Sequence, residues 1–176
     1  LLGYDIASFN DLHKLIKLKL NLYQPLSEFN LLRIIYSNQA IEIVVESFAP
    51  DVEQYVRSII FYGNREIPEI KSTPVSLSLM ARKNAVNEGA YEAILVDDQG
   101  IVREGAWSNF FWRDDFGIWY TPKNKILNGI TREEVLEYFK KESIPFEEKD
   151  FLLTDIKERI TAAFVTSSLT GMVFLS

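Results

Sequence analysis

Two strand–turn–strand segments in the middle of the chain limit the folds that it can adopt. In the first, residues 91–96 and 101–105 flank the turn DDQG, and in the second, residues 109–113 and 118–122 flank the turn DDFG. Short apolar runs separated by Asp- and Gly-rich turns are typical of antiparallel hairpins. The sequence therefore predicts an antiparallel meander in this part of the chain.

The acidic pairs in these turns invite another interpretation, a catalytic site made of two carboxylates. Asp97 and Asp98 lie in the first turn, and Asp114 and Asp115 lie in the second, each pair close to a glycine. Aspartate is favoured in turns because its side chain hydrogen-bonds to the local backbone. We therefore assign both pairs to the turns.

Three helices are predicted around these strands. Residues 9–23 carry apolar residues at helical spacing. A second helix is predicted to begin at the hydroxyls and the proline of residues 72–74 and to end at Gly89. A third is predicted over about residues 132–142, with Thr131 as part of a capping box.

These elements predict an α+β protein of two domains. Residues 1–63 are predicted to belong to a small N-terminal α/β layer, residues 64–70 to a polar linker, and residues 71–176 to a larger domain. The chain starts without Met and both ends lie in apolar segments, so we expect that the small domain is incomplete and that the C-terminal end of the larger one is missing. Strands are also predicted at residues 31–38, 41–48, 52–63, 146–151 and 161–167, and a helical turn near residues 155–159.

Charge and composition argue against several classes of function. The formal net charge is −6 and the isoelectric point is about 4.9, whereas binding to nucleic acid or to an anionic membrane needs a basic surface. The chain has no cysteine and a single histidine, His13, so a metal site of thiolates or imidazoles is not expected. No apolar run approaches the ~18 residues that span a bilayer, and we expect a cytoplasmic protein that acts on small molecules.

Several residues have the chemistry of a cofactor site, although each also has a plainer interpretation. Lys71 precedes a predicted helix start, where partial positive charge disfavours a protonated amine and favours a nucleophile; otherwise it is a solvated lysine. Residues 129–132, GITR, lead into a helix start that would bind phosphate or hold only water. Residues 166–171 would bind an anion or form a simple turn, and Glu104 would be a site carboxylate or a surface group on a hairpin.

The order of four motifs makes the interpretation specific. Four segments resemble, in sequence and spacing, the large domain of class IV aminotransferases: IKSTP, GAYEAILVDDQGIVREGAWSNFFW, YTPKNKILNGITREEVLEYF and AAFVTSSLTG. This family includes branched-chain and D-amino-acid aminotransferases and 4-amino-4-deoxychorismate lyase. The resemblance covers about residues 65–176 and implies the two-domain fold of the family, whose larger domain is an antiparallel-rich pseudo-barrel with helices.

The resemblance also implies the cofactor, pyridoxal 5'-phosphate, and the residues that bind it. Lys71 resembles the lysine that forms the covalent link with the cofactor and then moves the proton at the substrate α-carbon. Glu104 resembles the carboxylate that keeps the pyridine nitrogen protonated, so that the ring accepts electrons. The cofactor phosphate would be bound by the backbone N–H groups of Ile130 and Thr131 and by the hydroxyl of Ser168, with Ser167 as an extra donor.

Some positions near this implied site receive no catalytic role. Asn109 falls on the SxN segment of the family and is interpreted as a structural residue. Pro74 stands where several members have Asn. Arg65 lies a few residues before Lys71, where relatives often have an arginine near the active site, but the spacing does not match closely enough to assign it. The phosphate-binding arginine of the family would precede Leu1, so no residue of this chain is assigned that role.

The function implied by the resemblance is transfer of an amino group between an amino acid and a 2-oxo acid, by a homodimer. One alternative is the lyase, which uses the same cofactor and lysine to release pyruvate and leave 4-aminobenzoate. The segment NFFWR resembles the lyase, whereas GITR is typical of the aminotransferases. A second alternative, suggested by the cut ends, is a non-catalytic truncated relative.

Overall fold

The chain forms two compact units that both contain helix and sheet. The computed structural model describes residues 9–22, 28–36, 41–49, 55–71 and 76–176. The units are Leu1–Asp51 and Val52–Ser176. Their mixture of helices and strands confirms the predicted α+β class.

In the first unit, the described residues form one helix and a two-stranded antiparallel sheet. These elements are α1 (Phe9–Leu20), β1 (Phe29–Tyr36) and β2 (Ile41–Phe48). Lys17 and Lys19 lie in the last turn of α1, where positive side chains favourably oppose the partial negative charge of the helix end. The helix predicted over residues 9–23 and the strands predicted over residues 31–38 and 41–48 are confirmed where the structure describes them. Residues 23, 37 and 38 lie outside the described residues.

The second unit contains all the motifs that carry the family resemblance. Its helices are α2 (Ser76–Asn87), α3 (Ile130–Lys141) and α4 (Leu153–Arg159). Its strands are β3 (Tyr55–Val56), β4 (Ser58–Tyr62), β5 (Glu92–Val96), β6 (Val102–Gly105), β7 (Asn109–Arg113), β8 (Trp119–Thr121), β9 (Phe146–Glu148), β10 (Ala162–Ser167) and β11 (Gly171–Leu175).

The strands of the second unit form two open sheets in which antiparallel pairs predominate. One sheet has the order β3-β11-β10-β7-β8-β9 and the other the order β4-β5-β6. Both predicted hairpins, β5-β6 and β7-β8, are confirmed as antiparallel pairs. The predicted continuous meander is wrong, because the chain turns tightly after β6 and β7 then pairs with β10. In that turn the N–H of Gly105 donates to the carbonyl oxygen of Ser108 at 2.7 Å.

The two sheets are packed face to face, with a helix on each outer side. Side chains alternate between the faces of a strand, so Phe110 and Trp112 of β7 enter the core between the sheets and Phe111 points to the opposite face. There Phe111 stacks on Phe164 of β10 at 4.7 Å between ring centroids and contacts Phe139 of α3 edge-on. Full burial of such a side chain stabilises the fold by about 1.5–3 kcal/mol. Helix α3 is thereby packed against this outer face of β7 and β10.

Both aspartate pairs occupy turns, as predicted. Asp97 Oδ1 accepts hydrogen bonds from the N–H groups of Gln99 and Ile101 at 2.9 Å each. Asp114 Oδ1 accepts equivalent bonds from Phe116 at 3.0 Å and Ile118 at 2.9 Å. These carboxylates hold the hairpin turns together, and they also form ion pairs with Arg103 and Arg159.

The ends of several predicted elements need correction. The capping box at Thr131 is wrong, because α3 already begins at Ile130 and its N-cap is Gly129, which provides no side-chain hydrogen bond. The end of α2 at Gly89 is confirmed by its positive φ of 67°, while residues 72–74 lie outside the described residues. Strand β11 was not predicted.

The division into units falls upstream of the predicted linker. Strand β3 pairs with β11 and strand β4 with β5, so both strands belong to the second unit. Residues 64–70 therefore lie within that unit, and their role as a domain boundary in a longer protein stays a prediction. In the described residues, no helix has the length and apolar character that crossing a membrane requires.

Candidate cofactor site

Glu104 lies at the centre of the candidate site. It is carried by β6, is only 3% exposed, and lines a cavity of about 280 Å³, close to the lower end of the ~300–1,000 Å³ typical of ligand pockets. Its Oε1 accepts a hydrogen bond from Arg65 Nη1 at 2.8 Å, and its Oε2 accepts one from the N–H of Leu127 at 3.0 Å. The alternative of a surface carboxylate on a hairpin is therefore wrong.

The surroundings of Glu104 change its acidity. Burial raises the pKa of this carboxyl, and the hydrogen bonds from Leu127 and Arg65 offset the effect only in part. The nearby carboxylate of Glu69 raises the pKa further. Because a buried carboxylate is costly unless positive charge or hydrogen-bond donors surround it, Glu104 favours a cationic or N–H-donating group in the cavity.

Arg65 connects Glu104 to the segment that precedes Lys71. While its Nη1 binds Glu104, its Nη2 donates to the carbonyl oxygen of Ile70 at 3.0 Å. Arg65 was not among the residues predicted for the site, because a position a few residues before a lysine does not reveal which carboxylate the arginine reaches. Only the pairing of β4 with β5 and of β5 with β6 brings the two residues together.

Lys71 is exposed and directly follows Ile70. The side chains that line the cavity in the described part of the chain include Glu104 and Arg65 but not Lys71. Residues 72–75 lie outside the described residues, so the helix start expected after Lys71 is not described. The structure thus places Lys71 at the end of the segment that borders the cavity, without a contact between Lys71 and Glu104.

The start of α3 is joined to Glu104 through Leu127. The N–H of Leu127 binds Glu104, and its carbonyl oxygen accepts a hydrogen bond from Asn109 Nδ2 at 2.7 Å. Two residues further, Gly129 is the N-cap of α3, and a Cβ at this position would overlap Asn109 Oδ1. Asn109 is therefore a structural residue of the site that requires glycine beside it.

Ile130 and Thr131 open helix α3, with Ile130 exposed and Thr131 half-buried. The first N–H groups of an α-helix have no partner within the helix, and Gly129 provides no side-chain cap. These N–H groups, with the positive end of the helix dipole, favour an anion at this position. The structure thus places the predicted phosphate-binding pair three and four residues after Leu127, whose N–H binds Glu104.

The position of α3 is further fixed by Arg132, which the sequence analysis did not identify. Its buried guanidinium donates from Nη2 to the carbonyl oxygen of Pro122 at 3.0 Å and to Glu148 Oε2 at 2.7 Å. No local sequence signal pairs Arg132 with Glu148, because the partner lies on β9, which follows the helix. The ion pair holds the first turn of α3 against the sheet.

Ser167 and Ser168 lie where β10 turns into β11. The pairing of Thr166 with Asn109 brings this turn next to the start of β7. Ser167 Oγ lies 2.8 Å from Thr170 Oγ1 and accepts a hydrogen bond from the N–H of Thr170 at 3.1 Å, so its hydroxyl also shapes the turn. Ser168 is exposed.

Thr166 was not predicted as a site residue, but its hydroxyl is unusual. Thr166 is 2% exposed, and its Oγ1 has no hydrogen-bond partner among the described residues. Residues directly opposite in an antiparallel pair point to the same face of the sheet, so Thr166 lies on the face where Asn109 contacts the segment before α3. The hydroxyl therefore provides an unused donor and acceptor near the start of α3.

Comparison with known proteins identifies the chain at the level of the family. The model of the family described as amino-transferase class IV matches residues 5–176. The D-alanine aminotransferase of Listeria monocytogenes serotype 1/2a (strain 10403S) is 37% identical over 91 residues, which are 51% of this chain and 31% of that protein. The chain thus covers less than two thirds of the length of the first relatives that it matches.

Two solved structures resemble the fold over almost the whole chain. One is a protein of Thermotoga maritima provisionally assigned as a branched-chain amino acid aminotransferase, with a TM-score of 0.75, 27% identity, and coverage of 99% of this chain and 64% of that chain. The other is a protein of Legionella pneumophila provisionally assigned as a 4-amino-4-deoxychorismate lyase, with a TM-score of 0.75, 24% identity, and coverage of 99% and 70%.

Proposed function

Because this chain belongs to the class IV aminotransferase family, we propose that it carries the pyridoxal-phosphate site of an enzyme that transfers an amino group between an amino acid and a 2-oxo acid. The resemblance inferred from the four motifs is confirmed at the level of the family, which consists of pyridoxal-phosphate enzymes. The reaction and the residues that perform it are the proposal.

The residues present fit pyridoxal phosphate. Its pyridine nitrogen needs an acidic partner, and Glu104 is a buried carboxylate with a raised pKa at the wall of a cavity. Its phosphate needs N–H and hydroxyl donors, and α3 begins without a side-chain cap, on the sheet face that also carries the unpartnered hydroxyl of Thr166. One observation carries the proposal: the N–H of Leu127 donates to Glu104, and Leu127 lies three residues before the first residue of α3, so a short segment joins the two kinds of binding group.

Each residue then has a chemical role. When bound, pyridoxal phosphate supplies an electron-accepting ring that stabilises negative charge at the substrate α-carbon. Glu104 would hold a proton on the pyridine nitrogen, which the ring needs in order to accept electrons. The N–H groups of Ile130 and Thr131, with the hydroxyl of Ser168 and the additional donor Ser167, would bind the phosphate. Lys71 would attach the cofactor and move the proton at the α-carbon.

The covalent role of Lys71 is tested first. Pyridoxal phosphate is added to the intact protein, to a Lys71→Ala variant and to a control variant, Lys83→Ala, which removes an exposed lysine of α2. We expect a visible absorption band that disappears on borohydride reduction, with the label recovered on Lys71, in the parent and in the control only. A folded parent protein without such a band would overturn the proposal in favour of the non-catalytic relative.

The lyase is the second candidate. The segment NFFWR, which resembles the lyase, forms β7. Its first residue, Asn109, donates a hydrogen bond to Leu127 in the segment before α3. The likeness to the Legionella pneumophila protein supports the shared fold alone. Two assays decide between the candidates: amino-group transfer from branched-chain and D-amino acids to 2-oxoglutarate, and release of pyruvate from aminodeoxychorismate. Pyruvate release without transfer would favour the lyase.

Assembly and location remain proposals by analogy with the family. We propose a homodimer, and light scattering on the intact protein would measure its mass. A cytoplasmic location is expected, and the net charge of −6 argues against nucleic acid or an anionic membrane as a partner. We expect no binding to DNA or to anionic vesicles at low or at high salt concentration.

A further inference from the structure

Arg65 binds two parts of the candidate site with one side chain. Its Nη1 donates to Glu104 Oε1 at 2.8 Å, and its Nη2 donates to the carbonyl oxygen of Ile70 at 3.0 Å. The Arg65 side chain is 17% exposed and that of Glu104 only 4%, so this ion pair is largely shielded from water. Ile70 directly precedes Lys71.

We propose that Arg65 is a positioning residue that holds the carboxylate of Glu104 and the backbone before Lys71 at a constant separation, so that both groups meet the same cofactor ring. This inference rests on the proposed function. It adds a residue that contacts neither the substrate nor the reacting atoms and acts through Glu104 and Lys71.

The geometry of the guanidinium suits this role. A guanidinium is planar and permanently charged, and its fork directs N–H groups to two acceptors at once. A lysine has one charged nitrogen on a flexible stem and would reach Glu104 or Ile70 without fixing one relative to the other. The pair is also close to Glu69, a second carboxylate that disfavours the ionised form of Glu104, so a permanent positive charge is needed nearby.

Arg65 leaves Glu104 able to bind the cofactor. Each oxygen of a carboxylate accepts about two hydrogen bonds, and in the described structure Oε1 is bound by Arg65 and Oε2 by Leu127. Each oxygen therefore keeps capacity for one more donor. A pyridinium N–H would join these contacts without displacing Arg65.

The segment between Arg65 and Lys71 needs such an attachment. Residues 66–70 form bends and turns outside the sheets and are mostly exposed. Within it, the N–H of Ile70 donates to the carbonyl oxygen of Ile67 at 3.2 Å, which closes a local turn but does not attach the segment to a strand. Arg65 donates to Ile70 in this segment and to Glu104 on β6, and so attaches the segment to the strand.

The test compares Arg65→Gln and Arg65→Lys with a matched control, Arg57→Gln. Arg57 also binds a carboxylate and a carbonyl oxygen, both of Glu88, but in an exposed pair. Three readouts are measured on the intact protein: amide hydrogen exchange of residues 66–71 before cofactor is added, the ¹⁵N chemical shift of isotope-labelled pyridoxal phosphate once bound, and kcat and KM.

Three results are expected. Arg65→Gln speeds exchange in residues 66–71, moves the pyridine ¹⁵N shift toward that of the unprotonated ring, and lowers kcat by about 10²-fold with little change in KM, as an ~1 Å misplacement does. Arg65→Lys, which keeps the charge and the apolar stem, restores the ¹⁵N shift but not the slow exchange. Arg57→Gln matches the parent in every readout.

The outcomes separate this inference from the proposed function. If the parent binds pyridoxal phosphate and both Arg65 variants keep its exchange rates and its ¹⁵N shift, the role of Arg65 is wrong and the proposed function stands. If the folded parent binds no pyridoxal phosphate, the proposed function is wrong and the role of Arg65 is overturned with it. If Arg65→Gln does not fold, Arg65→Lys decides, because fast exchange is expected from it and slow exchange contradicts the inference.

Discussion

The side-chain amide of Asn109 donates a hydrogen bond to the carbonyl oxygen of Leu127 at 2.7 Å. Asn109 is the first residue of β7, and Leu127 lies in the segment that leads into α3. Because the N–H of Leu127 in turn donates to Glu104, this short segment is held from both sides. The separation between Glu104 and the start of α3 therefore depends on Asn109.

The first prediction concerns Asn109→Ala. The variant removes one of the two donors to the carbonyl oxygen of Leu127, which keeps the N–H of Gly129 at 2.9 Å. We therefore expect the free energy of unfolding to fall by about 0.5–1.5 kcal/mol. We also expect weaker binding of pyridoxal phosphate, measured by titration, because the start of α3 is released. The control is Asn84→Ala, an exposed change on α2, which should leave cofactor affinity unchanged. Equal affinity in both variants would contradict the prediction.

The second prediction concerns Glu104→Gln. The amide keeps the shape of the side chain but does not hold a proton on the pyridine nitrogen. We therefore expect kcat to fall by about 10²–10³-fold, the usual effect of removing one preorganised electrostatic contact from an active site. Glu158→Gln, an exposed change on α4, is the control for kcat. Retained kcat in Glu104→Gln would show that the ring does not depend on this carboxylate.

Through Glu104, the stability of the parent protein should respond to pH in a defined direction. Burial raises the pKa of Glu104 above 4.5, so the folded state holds this proton more tightly than the unfolded state. Its contribution to stability is present below the unfolded value and is lost as pH rises through the raised folded value. Urea unfolding of the cofactor-free protein should show this decrease in the parent and not in Glu104→Gln.

The third prediction concerns Thr166→Val, which replaces a buried hydroxyl that has no hydrogen-bond partner in the described part of the chain with a methyl group of similar volume. Without cofactor, the variant should be as stable as the parent or more stable by up to ~1 kcal/mol, because an unsatisfied polar group is removed. If the hydroxyl binds the cofactor phosphate, the variant should bind pyridoxal phosphate more weakly than the parent does. Thermal unfolding with and without cofactor measures both effects, and a large loss of stability without cofactor would show that the hydroxyl has a protein partner.

The fourth prediction concerns acid stability and Asp114. Burial by itself would raise the pKa of this carboxyl, but the hydrogen bonds from Ile118 and Tyr120 and the charge of Arg159 outweigh it and hold the pKa below 3.8. Its stabilisation is therefore present above about pH 3.8 and is lost as pH falls through the lower folded pKa. Because Arg159 is partly exposed and its charge stays solvated, Asp114→Asn should lower the free energy of unfolding at neutral pH by about 1.5–3 kcal/mol, as for hydrogen bonds to a charged group, and flatten its acid dependence. Asp115→Asn, a change at the exposed neighbour, is the control. If the free energy of unfolding of Asp114→Asn decreased in acid as steeply as that of the parent, the role of Asp114 in acid stability would be contradicted.

Local signals in the sequence were sufficient for some elements of the second unit. The hairpins were predicted from apolar runs around Asp- and Gly-rich turns, and the end of α2 from Gly89, because turn geometry and helix ends depend on residues adjacent in the chain. The carboxylates of Asp97 and Asp114 follow the same rule, since their partners lie two and four residues further along the chain. The family, and with it the expected site residues, followed from the order of four such local motifs.

Only the tertiary structure decided how these elements meet. The sequence does not show that Arg65 reaches Glu104 or that Asn109 binds Leu127, because each of these contacts joins residues far apart in the chain. Nor does it show that β6 and β7, which are consecutive in the chain, belong to different sheets. Such contacts depend on strand pairing and on the packing of two sheets over a common core, which local propensity does not encode. Lys71, Glu104, Ile130 and Thr131 were therefore predicted from local motifs, whereas the hydrogen bonds that link Glu104 to the start of α3 and to the segment before Lys71 arise from the fold.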